Sequence, residues 1–476
     1  MIRVKVEGHT NFYGLSDVMR LFYGKVVEDR DNSLLYCEGG DVDIISRVDD
    51  GIVRTYIAGR EDECRELIIR RAGEAQLEIK REVKRQLYII LSDLENKVFP
   101  WGCLTGIRPT IVAREEGSRE NLISKYLLRP DKADLCIKTG QTEERILALQ
   151  PEEGLNIYLG VPFCPSRCAY CSFVTQDITK HLKKLPLYAD ALVKEISIIG
   201  PKLDSVSTFY MGGGTPTVFD DRDFEKILNA VTDYIPMTGD TEITVEAGRA
   251  DTINEYKLKV MKEHGVKRIC INPQTMSEET LRRFNRAHTV KDVIDIYKTA
   301  EKIGFEIINT DLIAGLNYDE PEELLDSLQK LFELDPENIT IHTLYKKRAA
   351  NLTRDNVLGG TAVADGMRDQ RLDEAVKKAY ELLENRGYLP YYMYRQKDTS
   401  HGLENVGFAK AGTECLYNVA MMSDRRNVMA FGAGAVSKRI FEHGRLERCS
   451  SPKDVINYIG DCEAIARKKL DFFGLI

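Results

Sequence analysis

Short apolar runs alternate with amphipathic stretches along the middle of the chain. Six runs, at residues 156–163, 206–211, 241–247, 268–273, 305–313 and 338–344, are dense in Ile, Val, Thr and aromatic residues. Runs of that length suit strands covered on both faces. Between them the period changes. Phe224, Ile227, Leu228, Val231 and Ile235 recur at i, i+3, i+4, i+7 and i+11, which predicts one buried helix face. Thr252 with Glu255, and Thr289 with Asp292, have the spacing of capping boxes. Gly265 and Gly304 each close a helical pattern just before a strand, where a left-handed residue is useful. The pattern predicts βα repeats over 156–336, closed by the sixth strand. A doubly wound sheet and a barrel both satisfy it.

The flanks differ. Residues 1–150 carry strand-like pieces at 2–6, 34–37 and 52–57, then a charged stretch at 61–97 that reads as helix, which predicts a small α+β domain. The single Trp, Trp101, lies in Trp101-Gly-Cys-Leu-Thr-Gly-Ile-Arg-Pro109 and is expected to anchor packing. Residues 151–345 form the central domain. Residues 346–476 form a C-terminal α/β extension covering the substrate side. In it, Leu372, Ala375, Val376, Ala379 and Leu383 mark the buried face of a helix at 367–385. A strand at 388–394, glycine-containing segments at 407–422 and 427–439, and a helix at 452–469 follow.

Composition narrows the class. At about 150 residues per domain, 476 residues suggest three. A net charge of −8 argues against a general nucleic-acid binder but leaves room for a local basic pocket. With no long apolar run and no signal-like N-terminus, no membrane span and a cytoplasmic location are expected. Eleven cysteines fit reduced thiols, most of them small buried hydrophobes.

Three cysteines break that pattern. Cys164-Pro-Ser-Arg-Cys168-Ala-Tyr-Cys171 follows the first predicted strand. A structural zinc site wants four ligands, and no fourth cysteine lies nearby; unligated thiols are the plain alternative. Three thiolates on one loop can also hold three irons of a cubane cluster, leaving the fourth iron open. This spacing resembles the signature of the radical S-adenosylmethionine (SAM) superfamily. That resemblance implies a [4Fe–4S] cluster on Cys164, Cys168 and Cys171, with SAM chelating the open iron and cleaved to a 5′-deoxyadenosyl radical. It also implies a partial (β/α)6 barrel, in which chemistry belongs at the C-terminal ends of the strands.

Later strand ends carry matching features. Gly212-Gly-Gly-Thr215-Pro-Thr217 is a turn whose backbone can approach a ligand closely. Glu246, Gln274, Arg286 and Asp311 are polar residues at strand ends. Asp311 interrupts an apolar strand, where a carboxylate needs partners such as ribose hydroxyls, and Arg286 offers a planar fork for the SAM carboxylate. Tyr158-Leu-Gly-Val-Pro-Phe-Cys164, the glycine turn, Glu246, Gln274, Asn285-Arg286 and Thr310-Asp-Leu-Ile-Ala-Gly-Leu316 together resemble the oxygen-independent coproporphyrinogen III oxidase group, over about residues 155–440. The Leu-Thr-Gly-Ile-Arg-Pro stretch resembles its HemZ-type branch. The resemblance implies that Tyr158 contacts the cluster-bound SAM and that Gly214, Thr215, Glu246, Gln274, Arg286 and Asp311 bind it, with Tyr170 and Ile313 lining it. Tyr158 and Glu246 are the candidate catalytic residues.

The implied reaction, in an anaerobic setting, is decarboxylation of two propionates of coproporphyrinogen III to the vinyls of protoporphyrinogen IX. A reductant such as flavodoxin or ferredoxin would supply electrons. The heme-chaperone branch, HemW, carries a heme-ligating His-Asn…Tyr-Trp motif; here the matching stretch is Tyr417-Asn418 with Met421-Met422. A heme carrier of that type and a radical SAM enzyme that modifies heme are the alternatives. A propionate clamp needs cations. The candidates are Arg348 after Lys346-Lys347, Arg395 with Lys397, and Arg425 beside Arg426.

Overall fold

The computed structural model describes residues 1–68, 75–151, 154–171, 176–178, 181–317, 320–344, 362–396 and 402–475. It divides into two compact units: Met1–Gly140 with Tyr394–Glu404, and Gln141–Met393 with Asn405–Ile476.

The first unit is built on six strands: β1 (Ile2–Glu7), β2 (Val27–Asp29), β3 (Leu34–Cys37), β4 (Val42–Asp49), β5 (Ile52–Ile57) and β6 (Arg65–Ile68), in the order β2-β3-β1-β4-β5-β6. Helices Phe12–Tyr23 and Ala75–Glu95 supply Leu15, Val18, Met19, Val83, Leu87 and Leu91 to a core shared with Val4, Leu35 and Val53. The charged stretch is not one continuous helix: a single 3-10 turn at Glu61–Glu63 is followed by a strand. The described helix of this stretch is Ala75–Glu95, and Arg65–Ile68 pairs antiparallel with β5. An available sheet edge outweighs local helix propensity there. Trp101 is buried as expected; its Nε1 donates to Glu404 Oε2 at 2.7 Å. Lys132 Nζ donates to the other Glu404 oxygen at 2.6 Å.

The second unit carries β7 (Leu155–Val161), the two-residue pair β8 (Phe163–Cys164) and β9 (Gln176–Asp177), then β10 (Val206–Gly213), β11 (Glu242–Gly248), β12 (Arg268–Ile271), β13 (Ile307–Ala314) and β14 (Asn338–Thr343). β15 (Leu389–Arg395), β16 (Glu404–Ala409), β17 (Val428–Phe431), β18 (Val436–Ile440) and β19 (Leu446–Ser450) follow, with Tyr394 and Arg395 of β15 and Glu404 of β16 counted in the first unit. The sheet order is β15-β16-β14-β13-β12-β11-β10-β7-β17-β18-β19. All six predicted central strands form and run parallel, β7 beside β10 through β13 beside β14. β17 adds a seventh parallel strand outside β7, and β16 lies antiparallel on β14. The C-terminal extension thus continues both edges of the same sheet.

The predicted helix faces hold. Phe224, Ile227, Leu228 and Val231 are buried on Asp221–Tyr234. Thr289 and Asp292 form a reciprocal capping box on Val290–Ile303, which Gly304 ends in the left-handed region. The predicted Thr252 box does not form. Asn254 caps Glu255–Glu263 instead, accepting from Lys257 N at 2.8 Å. Thr252 Oγ1 turns to Arg249 O and Thr217 Oγ1, at 2.9 and 2.7 Å. A cap needs the residue directly before the helix, and Asn is as good a cap as Thr.

A buried ion pair ties β17 to the helices Leu185–Ile199 and Val455–Phe473. Glu195 accepts from Lys469 Nζ at 2.5 Å, from the Tyr458 hydroxyl at 2.5 Å and from Gly432 N at 3.0 Å, while Lys469 also reaches Ala430 O. Tyr188 donates to Gly160 O at 2.7 Å.

Candidate functional site

The parallel strands end together, and partly buried side chains punctuate their otherwise buried ends. Tyr158, Tyr210, Glu246, Gln274, Asp311 and His342 all retain some solvent access among buried neighbours. Tyr158 pairs in register with Tyr210, and Asp311 with Thr340. This is the mouth of the partial barrel.

The cysteine loop is fastened there from three sides. From β10, Gly214 N donates to Val161 O at 2.7 Å and Thr215 N to Phe163 O at 2.8 Å. Thr215 Oγ1 lies 3.5 Å from Cys164 Sγ. Gly213 has a φ of 112°, and a Cβ on Gly214 would come within 2.4 Å of Phe163 O. Only glycine lets this turn lie against the loop. From β11, Arg249 Nη1 donates to Ser166 Oγ at 2.9 Å. From the segment after β12, Asn285 Nδ2 donates to Arg167 O at 3.4 Å and Phe284 O accepts from Ala169 N at 3.4 Å.

Arg286 is buried and its fork is turned to that loop. Nη1 donates to the Tyr170 hydroxyl at 2.8 Å and lies 3.9 Å from Cys168 Sγ; Nη2 donates to Asn272 O at 2.7 Å. Tyr170 and Ile313 pack in one apolar cluster with Phe284, Leu316 and Leu344. Among the described residues, no three His, Cys, Asp or Glu side chains converge on one point. A cubane does not require it, since each cysteine binds its own iron.

Deeper in the mouth, Glu246 accepts from the Tyr210 hydroxyl at 2.6 Å and from Gly213 N at 3.2 Å. Burial raises its carboxyl to about 7; these two hydrogen bonds oppose the rise and the Asp311 charge adds to it. Tyr210 stacks on Tyr417 with ring centroids 4.6 Å apart, and Tyr158 lies 6.1 Å from Tyr417. Asp311 accepts from Asn309 Nδ2 at 2.8 Å and lies 3.6 Å from His342 Nε2. Gln274 sits at a φ of 70°, its backbone bridged to β13, and its side-chain Oε1 is buried without a partner. Asn272 Oδ1 is in the same state. Buried acceptors without partners are costly, and here they border the mouth, as groups waiting for a polar ligand do. The thiol loop, the glycine cradle and these acceptors fit a cluster with a bound amino acid nucleoside.

Two expected clamp arginines are engaged elsewhere. Arg395 belongs to the first unit and is buried. Its guanidinium donates to Leu104 O and to Gly402 O and lies 5.0 Å from the Trp101 ring centroid. Burial lowers it to about 10. Gripping a propionate would require these bonds to be exchanged. Arg425 Nη1 donates to both Glu144 oxygens, at 2.6 and 2.8 Å. Arg348, Lys346, Lys347 and Lys397 lie outside the described residues. Sequence reasoning missed Tyr210, Arg249 and His342. The strand-end position that singled out Glu246 applies equally to Arg249, three residues on.

Residues 158–328 match the Radical SAM superfamily. The chain is 35% identical over 395 residues to the oxygen-independent coproporphyrinogen-III oxidase-like protein HemZ of Bacillus subtilis, covering 78% of this chain and 76% of that one. It is 28% identical to the heme chaperone HemW of the same organism, over 59% of this chain and 70% of HemW. The solved coproporphyrinogen III oxidase HemN from Escherichia coli shares the fold, with a TM-score of 0.53 at 21% identity over 69% of this chain and 73% of that one. No helix among the described residues is long and apolar enough to cross a membrane. With HemZ alike over three quarters of both chains, this chain belongs to the radical SAM family of HemZ- and HemN-like proteins, oxidoreductases that use a [4Fe–4S] cluster and SAM.

Proposed function

We propose that this chain decarboxylates two propionates of coproporphyrinogen III to vinyl groups, giving protoporphyrinogen IX. In this reading Cys164, Cys168 and Cys171 hold the cluster. Tyr158, Tyr170, Gly214, Thr215, Glu246, Gln274, Arg286, Asp311 and Ile313 receive SAM, with Tyr158 and Glu246 as the candidate catalytic residues. When bound, the cluster and SAM supply a hydrogen-abstracting radical. Each propionate loses one β-hydrogen atom, its carboxylate leaves as CO2 as the C–C bond breaks, and one electron passes to an acceptor. The chain's own residues hold the loop, orient the ligand and keep a proton near neutrality on Glu246.

The observation that supports an enzyme over a carrier is Tyr417. It stands where the chaperone branch has its histidine, yet it is buried and stacked on Tyr210. A phenol in that stack is poorly placed to ligate heme iron. The substrate rests on the resemblance to HemZ over most of the chain. A flavodoxin- or ferredoxin-type reductant is the proposed electron source, and Arg348, Arg395 and Arg425 are the proposed propionate-clamp candidates, the last two in exchange for the bonds they make within the chain.

The test is anaerobic incubation of the reduced, reconstituted protein with SAM and coproporphyrinogen III. The expected products are a divinyl porphyrinogen, CO2 and one 5′-deoxyadenosine per vinyl. SAM cleavage without decarboxylation, or heme binding without turnover, would overturn the reading.

A further inference from the structure

The mouth holds a second arginine that the SAM reading does not use. Arg249 follows β11, is 4% exposed, and has its whole guanidinium engaged. Nε and Nη2 grip both oxygens of Asp251, at 2.9 and 2.8 Å. Nη1 faces the cysteine loop, 2.9 Å from Ser166 Oγ, 3.2 Å from Ser166 O and 3.9 Å from Cys168 Sγ. The arrangement does not stop there. Asp251 lies 3.4 Å from His288 Nδ1, and Arg286 Nε donates to His288 Nε2 at 3.3 Å. Arg286 Nη1 then approaches the same Cys168 Sγ.

Two guanidiniums therefore flank one thiol and are joined behind it by one carboxylate and one imidazole. Burial by itself would raise the Asp251 carboxyl, but its bonds with His288 and Arg249 outweigh that and hold it well below the ordinary range. Of the three cysteines, Cys168 is the most buried, at 9% exposure. Positive charge and N–H donors near a cluster sulfur favour the electron-rich, reduced cluster and hold its ligand in place.

The geometry points to Arg249 as a positioning residue that fixes the Cys168 end of the loop and raises the reduction potential of the cluster, with Asp251 as its counter-charge. This rests on the reading that Cys168 holds an iron.

The test compares reconstituted wild-type protein with Arg249→Gln, Arg249→Lys and Asp251→Asn. The readouts are the potential of the cluster in a spectroscopic redox titration and the rate of iron loss to a chelator. Arg249→Gln should make reduction about tenfold less favourable, about 59 mV for one electron, and speed iron loss several-fold. Arg249→Lys keeps the charge but not the fork, so it should nearly retain the potential while losing iron faster. Asp251→Asn removes the counter-charge, so the potential should move the opposite way, to more positive values. General loosening of the fold would not give shifts of opposite sign. Wild-type potential and iron loss in Arg249→Gln, or a shift of the same sign in Asp251→Asn, would overturn the inference. A wild-type protein that takes up no iron would overturn the cluster reading beneath it.

Discussion

Replacing Glu246 with Gln should flatten a pH dependence of stability, so that wild type is the more stable protein in acid and the less stable one above neutrality. The carboxyl is raised from its ordinary 4.5 to about 7, chiefly by burial. A carboxyl raised on folding binds its proton more tightly in the native chain than in the unfolded one. The native state therefore pays nothing below 4.5, loses stability as pH rises towards 7, and bears the full penalty above it. At about 1.36 kcal/mol per pH unit, that interval amounts to roughly 3 kcal/mol. The figure is an upper bound, because Glu246 keeps partial solvent access at the mouth. Gln is neutral throughout but has one acceptor oxygen for the two donors, Tyr210 and Gly213. Losing one hydrogen bond costs about 1 kcal/mol at every pH. Wild type should then be more stable than the variant by about 1 kcal/mol near pH 4.5 and less stable by up to about 2 kcal/mol near pH 8. Urea unfolding of the SAM-free proteins, followed by circular dichroism across that range, measures the difference. Curves that run parallel at every pH would refute the reasoning and leave Glu246 ionised throughout.

Lys469→Ala should destabilise the protein by about 3–5 kcal/mol, since it leaves Glu195 charged and fully buried without its partner; chemical denaturation checks this, and a loss under about 1 kcal/mol would argue against it. Asp311→Asn should weaken SAM binding about 10–150-fold through loss of a charged acceptor, while the visible spectrum of the cluster stays as in wild type; calorimetry on the reconstituted protein reads the affinity. Ser replacements of Cys164, Cys168 or Cys171 should each lower bound iron and the iron–thiolate absorbance, and full retention in all three would place the cluster elsewhere.

Local chemistry was legible in the sequence wherever a short stretch determined its own outcome. The six central strands announced themselves through continuous β-branched and apolar content, and Thr289 with Asp292 announced its cap because both partners lie within one turn. The thiols, the glycine turn, Glu246 and Arg286 were visible because parallel strands put their C-terminal ends on one rim, so position within a repeat already implied neighbourhood. What depended on distant partners was not legible. Whether an arginine grips a ligand or a carbonyl is decided by what the fold brings to it: Arg395 meets Leu104 and Trp101, nearly 300 positions away, while Arg249 meets Ser166 and Cys168 across the mouth. The strand at Arg65–Ile68, inside a stretch that reads as helix, formed because the edge of β5 was there to pair with. Tyr417 looked from its neighbours like a replaced ligand, and only packing against Tyr158 and Tyr210 showed it to be part of the barrel's own aromatic stack. Sequence settles the interactions whose partners are a few bonds away; burial and charge pairing across hundreds of residues are settled by the energy of the whole packed chain.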